Sequence, residues 1–205
     1  MRLTIFDTPV ISHLMVFIAW LGLKLTGWKT KGEKPAMSRY VLIGAPHTSN
    51  WDFLLFMAIA LRFRIKLYWL GKASLFRGPM GPIMRWLGGI PVYRDRNCNL
   101  VCQTVAAFRR YPRLVLALSP EGTRSYVSEW KTGFYHIARK AGVPILPGYL
   151  DARTKTVGLG QPIRPTGNIT KDMACIRQFY SAFTGIRPEG ANPASVPLHP
   201  ENDPA

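Results

Sequence analysis

Between residues 40 and 149 the sequence alternates short apolar runs of strand-like length with runs whose apolar residues recur at helical spacing. Residues 40–45, 65–70, 90–93, 114–118 and 144–149 read as strands, and residues 53–61, 79–87, 98–110 and 134–141 as helices. Few architectures satisfy such an alternation. It predicts an α/β domain with a central, mostly parallel or mixed sheet flanked by helices. At 205 residues and 47% hydrophobic content, the chain can bury a single sizeable core. The expected organisation is an N-terminal membrane-associated segment over residues 1–35, the α/β domain over residues 36–185 and a tail over residues 186–205.

Residues with chemical potential collect where the strands end, which is where open α/β sheets place ligands. His47-Thr48-Ser49-Asn50-Trp51-Asp52 separates the apolar run at 40–45 from the helical run at 53–61 and so occupies a strand-to-helix turn. There the unpaired N–H groups that open the helix attract negative charge. Five positions along an ideal helix put two side chains on different faces, so His47 and Asp52 meet only if His47 precedes the helix. Ser49-x-x-Asp52 reads as a capping box with Ser49 as N-cap, which leaves His47 outside. A histidine whose tautomer is fixed by a carboxylate has what a general base needs near neutral pH. Taken alone, the stretch is equally a helix cap beside a strand-end histidine.

Ser119-Pro120-Glu121-Gly122 is a turn by composition, placed after the strand at 114–118. Gly122 lets a ligand oxygen approach the backbone. Thr123 and Arg124 then supply a hydroxyl and a fork-shaped donor that suit a phosphate monoester, with a solvated surface turn as the alternative. The strand at 90–93 delivers Arg94 to its end. His136 falls within the helix at 134–141 and reads as structural.

The charge is lopsided: 27 Lys and Arg against 11 Asp and Glu give +16, with a pI near 10.3. Such a balance implies a polyanionic partner, either nucleic acid or an anionic membrane surface. Residues 8–23 contain no Asp, Glu, Lys or Arg, and are followed by Lys24, Lys29, Lys31 and Lys34, with Trp20 and Trp28 placed like interfacial anchors. The expectation is an uncleaved helix in one leaflet with its basic flank on the cytoplasmic side of the inner membrane; a core helix of a soluble domain is the alternative. Residues 75–87, broken by Gly78-Pro79 and Gly81-Pro82, offer either a membrane-facing surface or ordinary core packing with two solvated arginines. Cys98, Cys102 and Cys175 are odd in number and form no C-x-x-C pair, so neither a disulfide framework nor a zinc site is indicated. A last helix is expected over residues 171–183, and the proline-rich residues 186–205 are expected to be disordered.

Four motifs follow in order: His47-x4-Asp52, Gly88-Gly89-Ile90-Pro91-Val92-Tyr93-Arg94, Ser119-Pro120-Glu121-Gly122-Thr123-Arg124-Ser125 and Val143-Pro144-Ile145-Leu146-Pro147. In this order and at these distances they resemble the glycerophospholipid acyltransferases, whose best-known members acylate lysophosphatidic acid. The resemblance spans about residues 40–150, and Lys72 matches a lysine common between that family's first two motifs. Ser119 stands where Phe is usual, and Tyr93 stands where many members have Asp, a departure that bears on the acceptor. The resemblance implies transfer of a fatty acyl group from an acyl-carrier protein or coenzyme A thioester to a lysophospholipid hydroxyl. His47 and Asp52 would then be catalytic, and Lys72, Arg94, Glu121, Gly122, Thr123 and Arg124 would bind substrate. No metal or resident cofactor is expected, because a thioester is already activated; the absence of G-x-S-x-G, HExxH and C-x-x-C agrees. Backbone N–H groups near Ser49 and Asn50 are candidates for an oxyanion site. A basic nucleic-acid-binding domain is the main competing class, but the basic residues are scattered and no RNA-recognition or zinc-finger spacing occurs. Acylation of a non-glycerol lipid, or a catalytically dead membrane module, are further alternatives.

Overall fold

The structure, a computed structural model, describes residues 3–92, 100–123 and 126–187. A 3-10 turn (Ile5–Asp7) leads into α1 (Pro9–Thr26), followed by β1 (Lys29–Lys31), β2 (Arg39–Ala45), α2 (Asn50–Arg62) and β3 (Leu67–Lys72). A second 3-10 turn (Ala73–Phe76) precedes α3 (Met80–Trp86), β4 (Gly89–Val92), α4 (Leu100–Arg110) and β5 (Leu114–Leu118). The chain continues through α5 (Gly133–Ala141), β6 (Ile145–Asp151), β7 (Thr156–Leu159) and α6 (Ile169–Tyr180).

All seven strands form one sheet in the order β1-β7-β6-β2-β5-β3-β4. Among the strands of the described residues, only the β6–β7 pair is antiparallel, so the sheet is mixed around a parallel centre. The period-two alternation of a strand divides the central strands β2, β3, β5 and β6 between two cores. Thus β2 sends Val41, Ile43 and Ala45 to the face covered by α4, α5 and α6, and Tyr40 and Leu42 to the face covered by α1, α2 and α3. Phe108 of α4 and Tyr135 of α5 are fully buried in the first core, and burial of such a side chain contributes about 1.5–3 kcal/mol. Phe56 of α2 lies over Gly44, where a Cβ would stand 3.1 Å from the ring. That glycine lets the helix approach the strand just before the turn.

The topology gathers several chain-distant segments at one edge. From β2 the chain runs outward over the α2 and α3 face to β3 and β4, then returns over the other face. It inserts β5 between β3 and β2 and places β6 on the far side of β2. These five strands are mutually parallel, so their C-terminal ends share one sheet edge.

Several boundaries differ from the sequence reading for local reasons. Arg64 adopts φ of 51° in a turn after α2, so the third strand begins at Leu67 rather than at residue 65. Asn168 caps α6 through its side chain, which accepts from the Lys171 N–H, and so sets the helix two residues earlier than expected. β1, with the sequence Lys-Thr-Lys, and the four-residue β7 were not expected as strands. They pair with each other in parallel register at the edge. The N-terminus is tied down: Ile5 is fully buried, and Asp7 pairs with Lys66 at 2.6 Å.

Candidate active site

His47 stands two residues beyond the end of β2, after a cis Ala45–Pro46 bond and before the first turn of α2. Its side chain is 25% exposed, and Nδ1 lies 3.4 Å from Oδ2 of Asp52, whose side chain is wholly buried. The capping box is formed as expected, with Ser49 as N-cap and Asp52 at the third helical position. The Oδ2 atom of Asp52 accepts from the Thr48 N–H at 2.5 Å and from the Ser49 N–H at 2.7 Å. These bonds fix the carboxylate independently of the imidazole. The other oxygen, Oδ1, is buried without a hydrogen-bond partner. A contact of 3.4 Å is long for a hydrogen bond, and catalytic pairs commonly tighten only when substrate is bound. With Nδ1 turned toward Asp52, Nε2 is the nitrogen left for a substrate proton.

Glu121 comes from the neighbouring strand's turn, three residues after β5 ends. It is only 2% exposed, and its Oε2 accepts from the backbone N–H of His47 at 2.7 Å and from Ser119 Oγ at 3.4 Å. Its Oε1 is buried without a hydrogen-bond partner. Burial pushes the carboxyl up to about 7 from an ordinary 4.5, against the pull of the His47 N–H and imidazole. Glu121 was expected to meet substrate. In the structure the Oε2 atom of its carboxyl group braces the backbone of the histidine.

Gly122 and Thr123 continue that turn at the surface. Gly122 has φ of 66°, a conformation glycine adopts freely, and its N–H closes the turn onto the Ser119 carbonyl at 3.2 Å. Lys72 is exposed at the C-terminal end of β3, on the same sheet edge. Arg94 and Arg124 lie outside the described residues. The Val143–Pro147 motif enters the core beside β2: Ile145 and Leu146 are buried, and the Pro144 carbonyl accepts from the Val41 N–H at 3.0 Å. The Ser49 N–H, one of the candidate oxyanion donors, is committed to Asp52.

Two residues that carry the geometry had no assigned role. Ser119, which stands where Phe is usual, contacts the Glu121 carboxyl group. Thr48 is 3% exposed; its N–H holds Asp52, and its hydroxyl accepts from the Arg187 N–H at 3.1 Å. That last contact joins residues 139 apart in the chain, so no local pattern could reveal it. A buried carboxylate, a reachable imidazole and a second carboxylate behind it can take a proton from a hydroxyl and stabilise the resulting imidazolium.

Comparison with known proteins points the same way. The family model described as Acyltransferase matches residues 29–151. The chain is 30% identical over 149 residues to the 1-acyl-sn-glycerol-3-phosphate acyltransferase of Haemophilus influenzae, covering 66% of this chain and 60% of that protein. It is 28% identical over 148 residues to the enzyme of the same name from Escherichia coli, covering 67% and 58%. The chain thus spans about three fifths of the length of these curated relatives. The crystal structure of the 1-acyl-sn-glycerophosphate (LPA) acyltransferase from Thermotoga maritima superposes with a TM-score of 0.57 at 18% identity, over 77% of this chain and 70% of that one, which establishes a shared fold. On the match of the family model to more than half its length, the chain belongs to the acyltransferase family.

Proposed function

We propose that the protein moves a fatty acyl group from a thioester of acyl-carrier protein or coenzyme A to the hydroxyl of a lysophospholipid such as 1-acylglycerol-3-phosphate, in phospholipid biosynthesis. The observation that carries this is the reachable imidazole of His47 set against the buried, doubly hydrogen-bonded carboxylate of Asp52. The Nε2 of His47 takes the proton of the acceptor hydroxyl as its oxygen attacks the thioester carbonyl. Asp52 stabilises the imidazolium, and the backbone N–H of Asn50, in the first turn of α2, is the candidate donor to the developing oxyanion. Collapse of the tetrahedral intermediate breaks the carbon–sulfur bond. The departing thiolate recovers the proton from His47, leaving an ester and a free thiol. Lys72, Arg94 and Arg124 hold the acceptor phosphate, with Gly122 and Thr123 shaping the turn. The names of the relatives support this acceptor.

Reaction at an anionic membrane surface is part of this reading, and the layer formed by α1, α2 and α3 supports it. α1 is long and apolar enough by length and composition to cross a membrane, yet only 6% of that stretch is buried. Phe17, Ile18 and Leu21 of α1 are exposed, as are Trp51 and Leu54 of α2 and Met80 and Ile83 of α3, on the same side of the sheet. Around the 75–87 segment the two readings divide the residues: Phe76 is core, whereas Leu75, Met80 and Ile83 face outward and Arg85 bonds the Phe76 carbonyl at 3.2 Å. With the basic flank, this supports a reading in which the protein works on the cytoplasmic face of the inner membrane. The decisive experiment incubates the purified protein with radiolabelled acyl thioesters of carrier protein and of coenzyme A. Lysophosphatidic acid is offered beside a matched acceptor without phosphate. Labelled phosphatidic acid is the expected product; no transfer to any lysolipid would sink the proposal, and preference for the uncharged acceptor would favour a different lipid substrate.

A further inference from the structure

The family model ends at residue 151, but the catalytic turn is gripped by residues beyond it. The hydroxyl of Tyr180 in α6 is fully buried and points at the carbonyls of Ile43 and Gly148, at 3.0 and 2.9 Å, on the seam between β2 and β6 four residues before His47. Past α6 the chain is pinned at successive points. Phe183 stacks on Tyr149 with ring centroids 4.1 Å apart, the Thr184 N–H donates to Asp151 Oδ1 at 3.2 Å, and the Thr184 carbonyl accepts from the Ala152 N–H at 2.8 Å. Gly185 then crosses the turn so closely that a Cβ there would stand 2.8 Å from Thr48 Cγ2, 2.9 Å from Thr48 Oγ1 and 3.4 Å from Pro46 Cβ. Two residues on, the Arg187 N–H donates to Thr48 Oγ1. Thr48 is a short, β-branched, buried residue with no flexible end to yield.

We infer that residues 183–187 are a strap that positions the catalytic turn, with Gly185 as the residue that permits its contact with Thr48. The inference rests on His47 being the general base. Thr48 is the neighbour of that base, and its N–H holds the Oδ2 of Asp52 that faces His47. Displacing Thr48 therefore moves the carboxylate relative to the imidazole, although the strap touches neither group. Because a general base acts in the transition state, the strap sets kcat rather than substrate binding.

The test compares wild type with Gly185→Ala, Gly185→Val and Thr48→Val, and with chains stopped after Thr184 or after Arg187. Gly185→Ala should lower kcat about tenfold with KM for both substrates within about twofold, and Gly185→Val should lower it further. Thr48→Val keeps the shape but loses the acceptor for the Arg187 N–H, and should act in the same direction. The chain stopped after Arg187 should match wild type, while that stopped after Thr184 should fail like the glycine variants. Amide hydrogen exchange gives a readout that does not need turnover. Exchange of Thr48 and Ser49 should quicken about tenfold or more in Gly185→Ala, while Leu116 of β5 and Leu146 of β6 keep their protection. Unchanged kcat in Gly185→Ala, unchanged exchange at Thr48 and Ser49, or equal loss of protection throughout the sheet would each overturn the strap. If wild type transfers no acyl group but exchange responds as described, the acyl-transfer reading falls and the hold on the turn stands.

Discussion

Replacing Glu121 by Gln isolates the cost of keeping a second carboxylate buried behind the histidine. The carboxyl titrates near 7 in the folded protein against an ordinary 4.5, a gap worth on the order of 3 kcal/mol. Burial raises it, so between pH 4.5 and 7 the folded state retains a proton that the unfolded chain has released. Stability from this group is therefore complete below about pH 4.5, declines as pH climbs, and is lost above about 7. Gln does not titrate. Its carbonyl still accepts the His47 N–H, and its amide places a donor where the protonated acid places its O–H, so the packing difference is nearly independent of pH. Asp7 and Asp151 are held below the ordinary 3.8 by their hydrogen bonds, which overcome the opposing effect of burial, and titrate outside this window. Thermal unfolding of wild type and Glu121→Gln, in one detergent from pH 4.5 to 8, should show the difference drifting toward the Gln variant by on the order of 3 kcal/mol. For a chain of this size that is on the order of 10 °C in Tm. Parallel profiles across the window, or a drift toward wild type, would refute the argument that desolvation dominates at Glu121.

His47→Ala should lower kcat by roughly two to four orders of magnitude in a folded protein, and Asp52→Asn by about two or more, measured by transfer of labelled acyl groups. Arg124→Ala should cost roughly one to two decades in kcat/KM on a phosphate-bearing acceptor and little on a matched acceptor without phosphate, with Arg124→Lys restoring only part. Phe17→Glu combined with Leu21→Glu should weaken flotation with anionic vesicles by about two decades or more, since each lost side chain removes roughly 1.5–3 kcal/mol of apolar burial, while Tm stays unchanged. Tyr180→Phe leaves two buried carbonyls without their phenolic donor and should lower unfolding free energy by about 1–2 kcal/mol in urea titrations.

The elements legible in the sequence were those whose period and capping are local. The run at residues 40–45 became β2 because its apolar residues are buried on both faces of the sheet, and the Ser49 to Asp52 box located the start of α2 and left His47 free to meet Asp52. β1 is not legible in the sequence because Lys-Thr-Lys is charged and lies at the sheet edge, where only its backbone is required. β7 is four residues long and contains Gly158, and its strand character comes from pairing with β6. In the site, the Glu121 side chain was legible as present but not in its placement: a contact to a backbone N–H 74 residues away has no signature in either stretch. The start of the 186–205 tail was read from composition, yet Arg187 is held by Thr48; residues 188–205 lie outside the described residues.

The site is stitched from pieces that leave the ribosome at very different moments. The apolar helix α1 precedes every element of the candidate site in the chain, whereas His47 waits 74 residues for Glu121 and Thr48 waits 139 for Arg187. Synthesis proceeds at about 5–20 residues per second, so several seconds separate emergence of the histidine from emergence of its last described contact. A nascent chain thus has its long apolar helix available before its histidine is braced. Exposure of the apolar helix and bracing of the histidine are ordered in time by the order of the chain.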